Sequence, residues 1–328
     1  MSHRSRLQTA TLAIVVGVVV LGLKVVAAWM TGSSALKSDA LESVVNVLSA
    51  CFALGAVLWS NRPADRDHPY GHGKIEFFSA SFVGGLITLA AVVIVLEAAQ
   101  ALWFGPQLKQ LGLGLVINLG AGALNGLLGW RLIYVGRKTR SPALEADGYH
   151  VLADFYTTLG LFAGLLIVRA TGLAWIDPVM ALFVGLLLAR TGVLLLKNAA
   201  DALMDREDKP LLSRIMNWVN RWEIPAVISI HRLRAIRSGS FTHVDVHVLV
   251  PEYLDVRQGH KIMHDFADQL LADCDLHGEL HTHMEPCRQA YCSVCPDQAC
   301  PIRLKPYQSR RPLSIEAAVS HQESPPND

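Results

Sequence analysis

Apolar residues fill the first 200 positions in long blocks divided by short polar links, and beyond them the pattern breaks into shorter amphipathic stretches. A helix needs about 20 residues to cross a hydrocarbon core about 30 Å thick. Six blocks have that length, at 9–30, 34–59, 78–103, 111–135, 142–169 and 176–198. The first has no small-residue cleavage site and is followed by further spans, so it is expected to stay in the mature protein. After residue 200, helical periodicity covers 207–222 and 255–273, while 226–237, 240–250 and 278–284 alternate as strands. The pattern predicts an α-helical membrane bundle of six transmembrane helices over 1–204, followed by an α+β domain of order αββαβ over 205–286. The remainder, 287–328, carries cysteines and then turns rich in Ser, Pro, Gln and Glu, a composition that predicts a largely disordered tail.

Two of the apolar blocks are interrupted in the same way. Asp39, Glu42 and Asn46 in the second block and Asp147, His150 and Asp154 in the fifth stand at offsets of zero, three and seven, one face of a helix. Ionisable groups inside a bilayer are costly enough to mark function, and each stripe offers metal-ligand chemistry. With Ser34 and Ser141-Pro142 as helix starts, Glu42 and Asn46 lie about 12 and 18 Å deep, and His150 and Asp154 about 13 and 20 Å from the other face. Both pairs bracket the midplane. Four ligands converging there from two antiparallel helices suit a transporter with alternating access.

Composition agrees with the pattern. Only 17% of the 328 residues are charged, against about 25% in soluble domains, and 52% are hydrophobic. The net charge of +1 gives no case for a nucleic-acid partner. Arg4 and Arg6, then Arg62, Arg66 and Lys74, then Arg137, Lys138 and Arg140 occupy alternate links, which by the positive-inside rule places both termini in the cytoplasm. Cysteines of a cytoplasmic tail are expected as thiols or metal ligands, because that compartment disfavours disulfides.

Further ligand clusters lie outside the spans. The loop Asp65-Arg-Asp-His68-Pro-Tyr-Gly-His72-Gly-Lys74 spaces Asp65, His68 and His72 as a small metal site would. His231, His247 and His283 fall on strands, and His260 and His264 sit one helical turn apart. In the tail, Cys287-x4-Cys292-x2-Cys295-x4-Cys300 holds a Cys-x2-Cys knuckle with two flanking thiols, a candidate tetrahedral zinc site.

With the paired intramembrane motifs, the Asp-His-Pro-Tyr-Gly-His-Gly-Lys loop and the αββαβ end closing on His283-Met-Glu285-Pro, residues 10–286 resemble the cation diffusion facilitators, and among them bacterial zinc and iron exporters. The resemblance implies a homodimer in the bacterial inner membrane, with a metallochaperone-like cytoplasmic domain, exporting divalent metal in exchange for protons. It implies a transport site of Glu42, Asn46, His150 and Asp154, a loop site of Asp65, His68 and His72, and a cytoplasmic binuclear site of His231, His247, His260, His283 and Glu285. Zinc is the expected substrate and regulator, with iron, cobalt and manganese as alternatives. Glu42, Asn46 and Glu285 stand where the best matched exporter of the family has aspartates, and the four-cysteine tail is additional to its pattern.

Two other functions compete. An intramembrane metallohydrolase calls for a motif such as His-Glu-x-x-His, which this chain lacks, so no enzyme is expected. A metal sensor that does not transport would need the cytoplasmic clusters but not the intramembrane one.

Overall fold

The computed structural model describes residues 3–31, 34–105, 113–173, 175–221, 226–309 and 312–321. It divides into two compact units, Met1–Met204 and Asp205–Asp328. The first contains helices α1 (His3–Thr31), α2 (Ser34–Ser60), α3 (Ile75–Phe104), α4 (Leu113–Thr139), α5 (Pro142–Thr171) and α6 (Ile176–Leu203). Among the described residues, stretches in α1, α2, α3, α4 and α6 are long and apolar enough to cross a membrane. Helix α5 is long enough at 30 residues but carries Glu145, Asp147 and Asp154.

This unit is built outside-in relative to a water-soluble bundle. Leu89, Leu96, Leu127 and Phe183 are exposed, as lipid-facing side chains are, while Ser43, Asn46, Ser49, Asp147, His150 and Asp154 are buried. Trp59, Trp103 and Trp175, at or beside helix ends, are also exposed, where an aromatic belt would sit. Two apolar clusters fill the interior. One joins α1, α2, α4 and α5 through residues such as Ala53, Val57, Leu132 and Leu144. The other joins α3, α5 and α6 through Val83, Ile87, Ala153 and Leu188. Helix α5 belongs to both.

Close helix contact rests on missing side chains. A Cβ on Gly148 of α5 would stand 2.8 Å from the Ile133 backbone nitrogen of α4, and one on Gly192 of α6 would stand 2.8 Å from that of Thr88 in α3. Small residues at such crossings allow the backbone approach on which helix packing in lipid depends. At the ends of the helices, Glu76 of α3 is fully buried and accepts from three other helices or their caps. Its partners are Arg6 of α1 at 2.9 Å, Ser60 of α2 at 2.8 Å and Ser141, which precedes α5. Ser141 therefore sits at the expected cap position, but its hydroxyl serves Glu76 instead of the helix.

The second unit runs α7 (Lys209–Arg221), β1 (Ser229–Ser238), β2 (Phe241–Val250), α8 (Val256–Asp273), β3 (Gly278–Pro286), a 3-10 turn at Gln289–Tyr291 and α9 (Ile315–Val319). The αββαβ order is the expected one. β1 and β2 form an antiparallel hairpin, and β3 pairs parallel to β2, giving the order β1-β2-β3. Gly239 at φ 62° makes the two-residue hairpin turn. Parallel pairing requires a crossover, which α8 supplies, started by a capping box between Asp255 and Gln258. Val244, Val246 and Val248 of β2 pack on one side with Phe266 of α8 and Ile215 of α7, so the alternate residues His243, Asp245 and His247 project from the other face.

The tail departs from expectation. Instead of trailing as a largely disordered segment after 287, it is structured over its described residues, which reach His321. Leu313, Ile315, Ala318 and Val319 pack on the apolar core, Asn220 exchanges two hydrogen bonds with Leu313, and the Arg232 N–H donates to Ser320 at 3.0 Å. A few apolar residues at helical spacing suffice to dock a short polar segment, and overall composition does not register them.

Candidate metal sites

The candidate site within the helical unit lies where α2 meets α5. The offset of three and seven places Asn46 on α2 and His150 and Asp154 on α5 at inward positions, and they are only 7%, 5% and 6% exposed. The Asn46 amide donates to the Asp154 carboxylate, tying the two helices together. His150 Nε2 and Asn46 Oδ1 are buried without a hydrogen-bond partner. Buried polar atoms are nearly always paired, so an orphaned amide oxygen on the residue that bridges to a carboxylate, and an orphaned imidazole nitrogen one helical turn before that carboxylate, mark a candidate place for a cation. The side chain of Glu42, the fourth expected ligand, lies outside the described residues.

Other buried polar groups of this unit fall outside the expected transport site. Ser49 of α2 donates to Asp147 of α5 at 3.0 Å, one turn from His150, and Asp147 Oδ2 is buried and unpaired. Asn118 and Asn125 of α4 are buried too, each with one amide atom unpaired. Their seven-residue separation, two turns on one helix face, was a readable signal.

The loop site comes together as its spacing suggests. Asp65, His68 and His72 place three ligand atoms within 4.8 Å of one another. Asp65 Oδ1 accepts from the backbone N–H groups of Asp67 and His68, a turn that brings the His68 ring to 3.2 Å. His72 Nε2 lies 3.3 Å from the other carboxylate oxygen, and its Nδ1 is buried and unpaired. The His68 backbone N–H, helped by the imidazoles, holds the Asp65 carboxyl below the usual carboxylate range and so ready for a cation.

On the second unit, register does the assembling. His231, His247 and His283 are directly opposed across the three strands. His231, His247 and Glu285 place ligand atoms within 4.8 Å, with His247 Nδ1 2.7 Å and His231 Nε2 3.4 Å from the Glu285 oxygens. The His283 ring centroid is 4.6 Å from that of His247. His260 is not brought into this group; it is exposed on α8, with its ring nearest that of His264. Farther along the same sheet face His243 Nδ1 lies 2.8 Å from Glu279 and His281 lies 3.3 Å from it, pairs that hold the Glu279 carboxyl below its usual range.

Cys287, Cys292, Cys295 and Cys300 are free thiols lining one cavity of about 350 Å³. Burial pushes the Cys287 and Cys295 thiols up. Their sulfurs do not converge as the ligand atoms of the two histidine groups do.

Comparison with known proteins follows the division into two units. The family model for the cation efflux transmembrane domain matches residues 10–204, and that for the cation efflux protein cytoplasmic domain matches 208–287. An uncharacterized transporter of Synechocystis, sll1263, is 36% identical over 84% of this chain and 89% of its own length. The manganese efflux system protein MneP of Bacillus subtilis is 26% identical over 85% and 95%, and the cation-efflux pump FieF of Citrobacter koseri 27% identical over 85% and 92%. Matched along both units, in order, and sharing 36% of aligned residues with a transporter over most of both lengths, this chain belongs to the cation efflux family of integral membrane transporters.

Proposed function

We propose that this protein exports a divalent transition-metal cation from the cytoplasm in exchange for protons, through a site formed by Glu42, Asn46, His150 and Asp154. The observation that carries this reading is a pair of orphaned buried atoms: Asn46 Oδ1, on the amide that bridges to Asp154, and His150 Nε2, on the residue one helical turn before Asp154. An unsatisfied buried polar atom costs roughly 1–3 kcal/mol, and a bound cation removes that cost. A neutral imidazole nitrogen takes a metal or a proton but not both, which couples the two flows in opposite directions.

The positive charges of the alternate links support cytoplasmic termini, and with them an inner-membrane location. The designation of the second matched region, ZT_dimer, supports a homodimer. His231, His247, His283 and Glu285 then form a cytoplasmic metal site that regulates the transporter. Zinc is the first substrate, because most such ligand sets bind it more tightly than Fe²⁺ or Mn²⁺. Manganese is the second reading, favoured by the oxygen-rich donor set that Asn46 completes and by relatives named for manganese efflux.

Metal flux in proteoliposomes under an imposed pH gradient tests the proposal. His150→Ala should cut the flux by more than the roughly 10–100-fold that partners one step removed from a metal are worth. Wild-type flux in that variant, at equal protein in the membrane, would remove the site.

A further inference from the structure

We propose that Cys287, Cys292, Cys295 and Cys300 bind a structural zinc ion that staples the tail to the end of the histidine-bearing sheet face. Neither matched family region extends beyond residue 287, so three of the four thiols lie outside both. The proposal rests on these residues alone and stands whether or not the transport reading holds.

Local structure brings the four thiols to the lining of one cavity, with their sulfurs still apart. Cys287 directly follows β3 and continues its ladder, its N–H donating to Val250 at 2.8 Å. The 3-10 turn at Gln289–Tyr291 then reverses the chain, and the Cys292 and Cys295 N–H groups donate to Gln289 and Tyr291, setting these two thiols about a turn apart. Arg303 binds the loop from within: its guanidinium donates to the carbonyls of Cys292, Cys295, Asp297 and Lys305. The loop that bears Cys300 is also tied to the turn after β2 by the Tyr253 hydroxyl, which donates to Asp297.

Four thiols with a Cys-x2-Cys knuckle are the donor set of a closed structural zinc site. Four thiolates around Zn²⁺ carry two net negative charges, and Arg288 and Arg303 line the same cavity. Bonds of about 2.3 Å require sulfurs about 3.8 Å apart, so loading draws the wider-set thiols inward. The cavity leaves room for that closure.

The position gives the staple its use. Tyr291 and Cys295 are buried with Ile228 and Leu249, and Cys287 packs on them. Leu249 is two residues beyond His247 on β2, and Cys287 two beyond Glu285 on β3, so both thiols adjoin the histidine group along the face it occupies. Fixing Cys287 fixes the strand end that carries His283 and Glu285.

The test uses full-length protein, purified in detergent under reducing conditions, stripped of metal and titrated with Co²⁺. The histidine and carboxylate sites contain no sulfur, so thiolate-to-cobalt charge-transfer absorption reports this site alone. It should saturate at one equivalent per protomer, disappear when Zn²⁺ is added and be absent from Cys292→Ser/Cys295→Ser, which should also purify with one zinc fewer. Absence of the band from the wild-type protein would overturn the proposal without reliance on any variant. Equal zinc content in the two proteins would do the same, and so would iron with acid-labile sulfide held by these thiols, because a Cys-x4-Cys-x2-Cys run also occurs in iron–sulfur proteins.

Discussion

In the proposed ligand set Asn46 is the uncharged oxygen donor and already bridges to Asp154, which makes it the position at which to test substrate choice. Asn46→Asp sets two carboxylates face to face, and they repel until a cation or proton stands between them. The variant is expected to bind Zn²⁺, Fe²⁺, Co²⁺ and Mn²⁺ more tightly and to release them more slowly to protons. Binding isotherms and flux measurements on both forms check this, and unchanged affinity and selectivity would mean that residue 46 does not touch the ion. At this scale, residues that repeat along one helix face were legible: the offsets of Asn46, His150 and Asp154 declare a common direction before any fold is known. Glu76 was not. Its partners Arg6 and Ser141 stand 70 and 65 positions away, and a single carboxylate at the start of an apolar helix carries no period that would announce them.

The helices pack as elements through their small residues. Gly192 meets Thr88 so closely that a larger side chain must push α6 away from α3. Gly192→Val should cost about 1–3 kcal/mol, the usual range for overpacking, and should slow transport if the two helices act as one body. Thermal unfolding in detergent reads the first effect and proteoliposome flux the second; a variant equal to wild type in both would show that the crossing relaxes freely. Helices and strands were legible to within a few residues because each buries a face with its own period, 3.6 or 2. The docking of α9 was not, because Leu313, Ile315 and Val319 lie among Ser, Pro and charged residues and make less than two turns of pattern.

For the whole molecule, the division of labour between the units is itself testable. If the histidine group on the sheet regulates rather than carries, His247→Ala/His283→Ala should lose metal stimulation of flux while basal flux stays near that of the wild type. Abolished basal flux with the fold intact would assign those residues to the transport path instead. The membrane unit also contains an asymmetry of membership: among the described residues, α5 supplies buried side chains to both apolar clusters, with Leu144 and Val151 in one and Ala146 and Ala153 in the other. A component common to two blocks cannot be re-seated in one without disturbing its fit in the other. Since His150 and Asp154 of the proposed site ride on that component, a displacement of α5 is felt at once by both blocks. If those two residues hold the cargo as proposed, the cargo is the key that turns the lock it sits in, with no separate messenger between binding and motion.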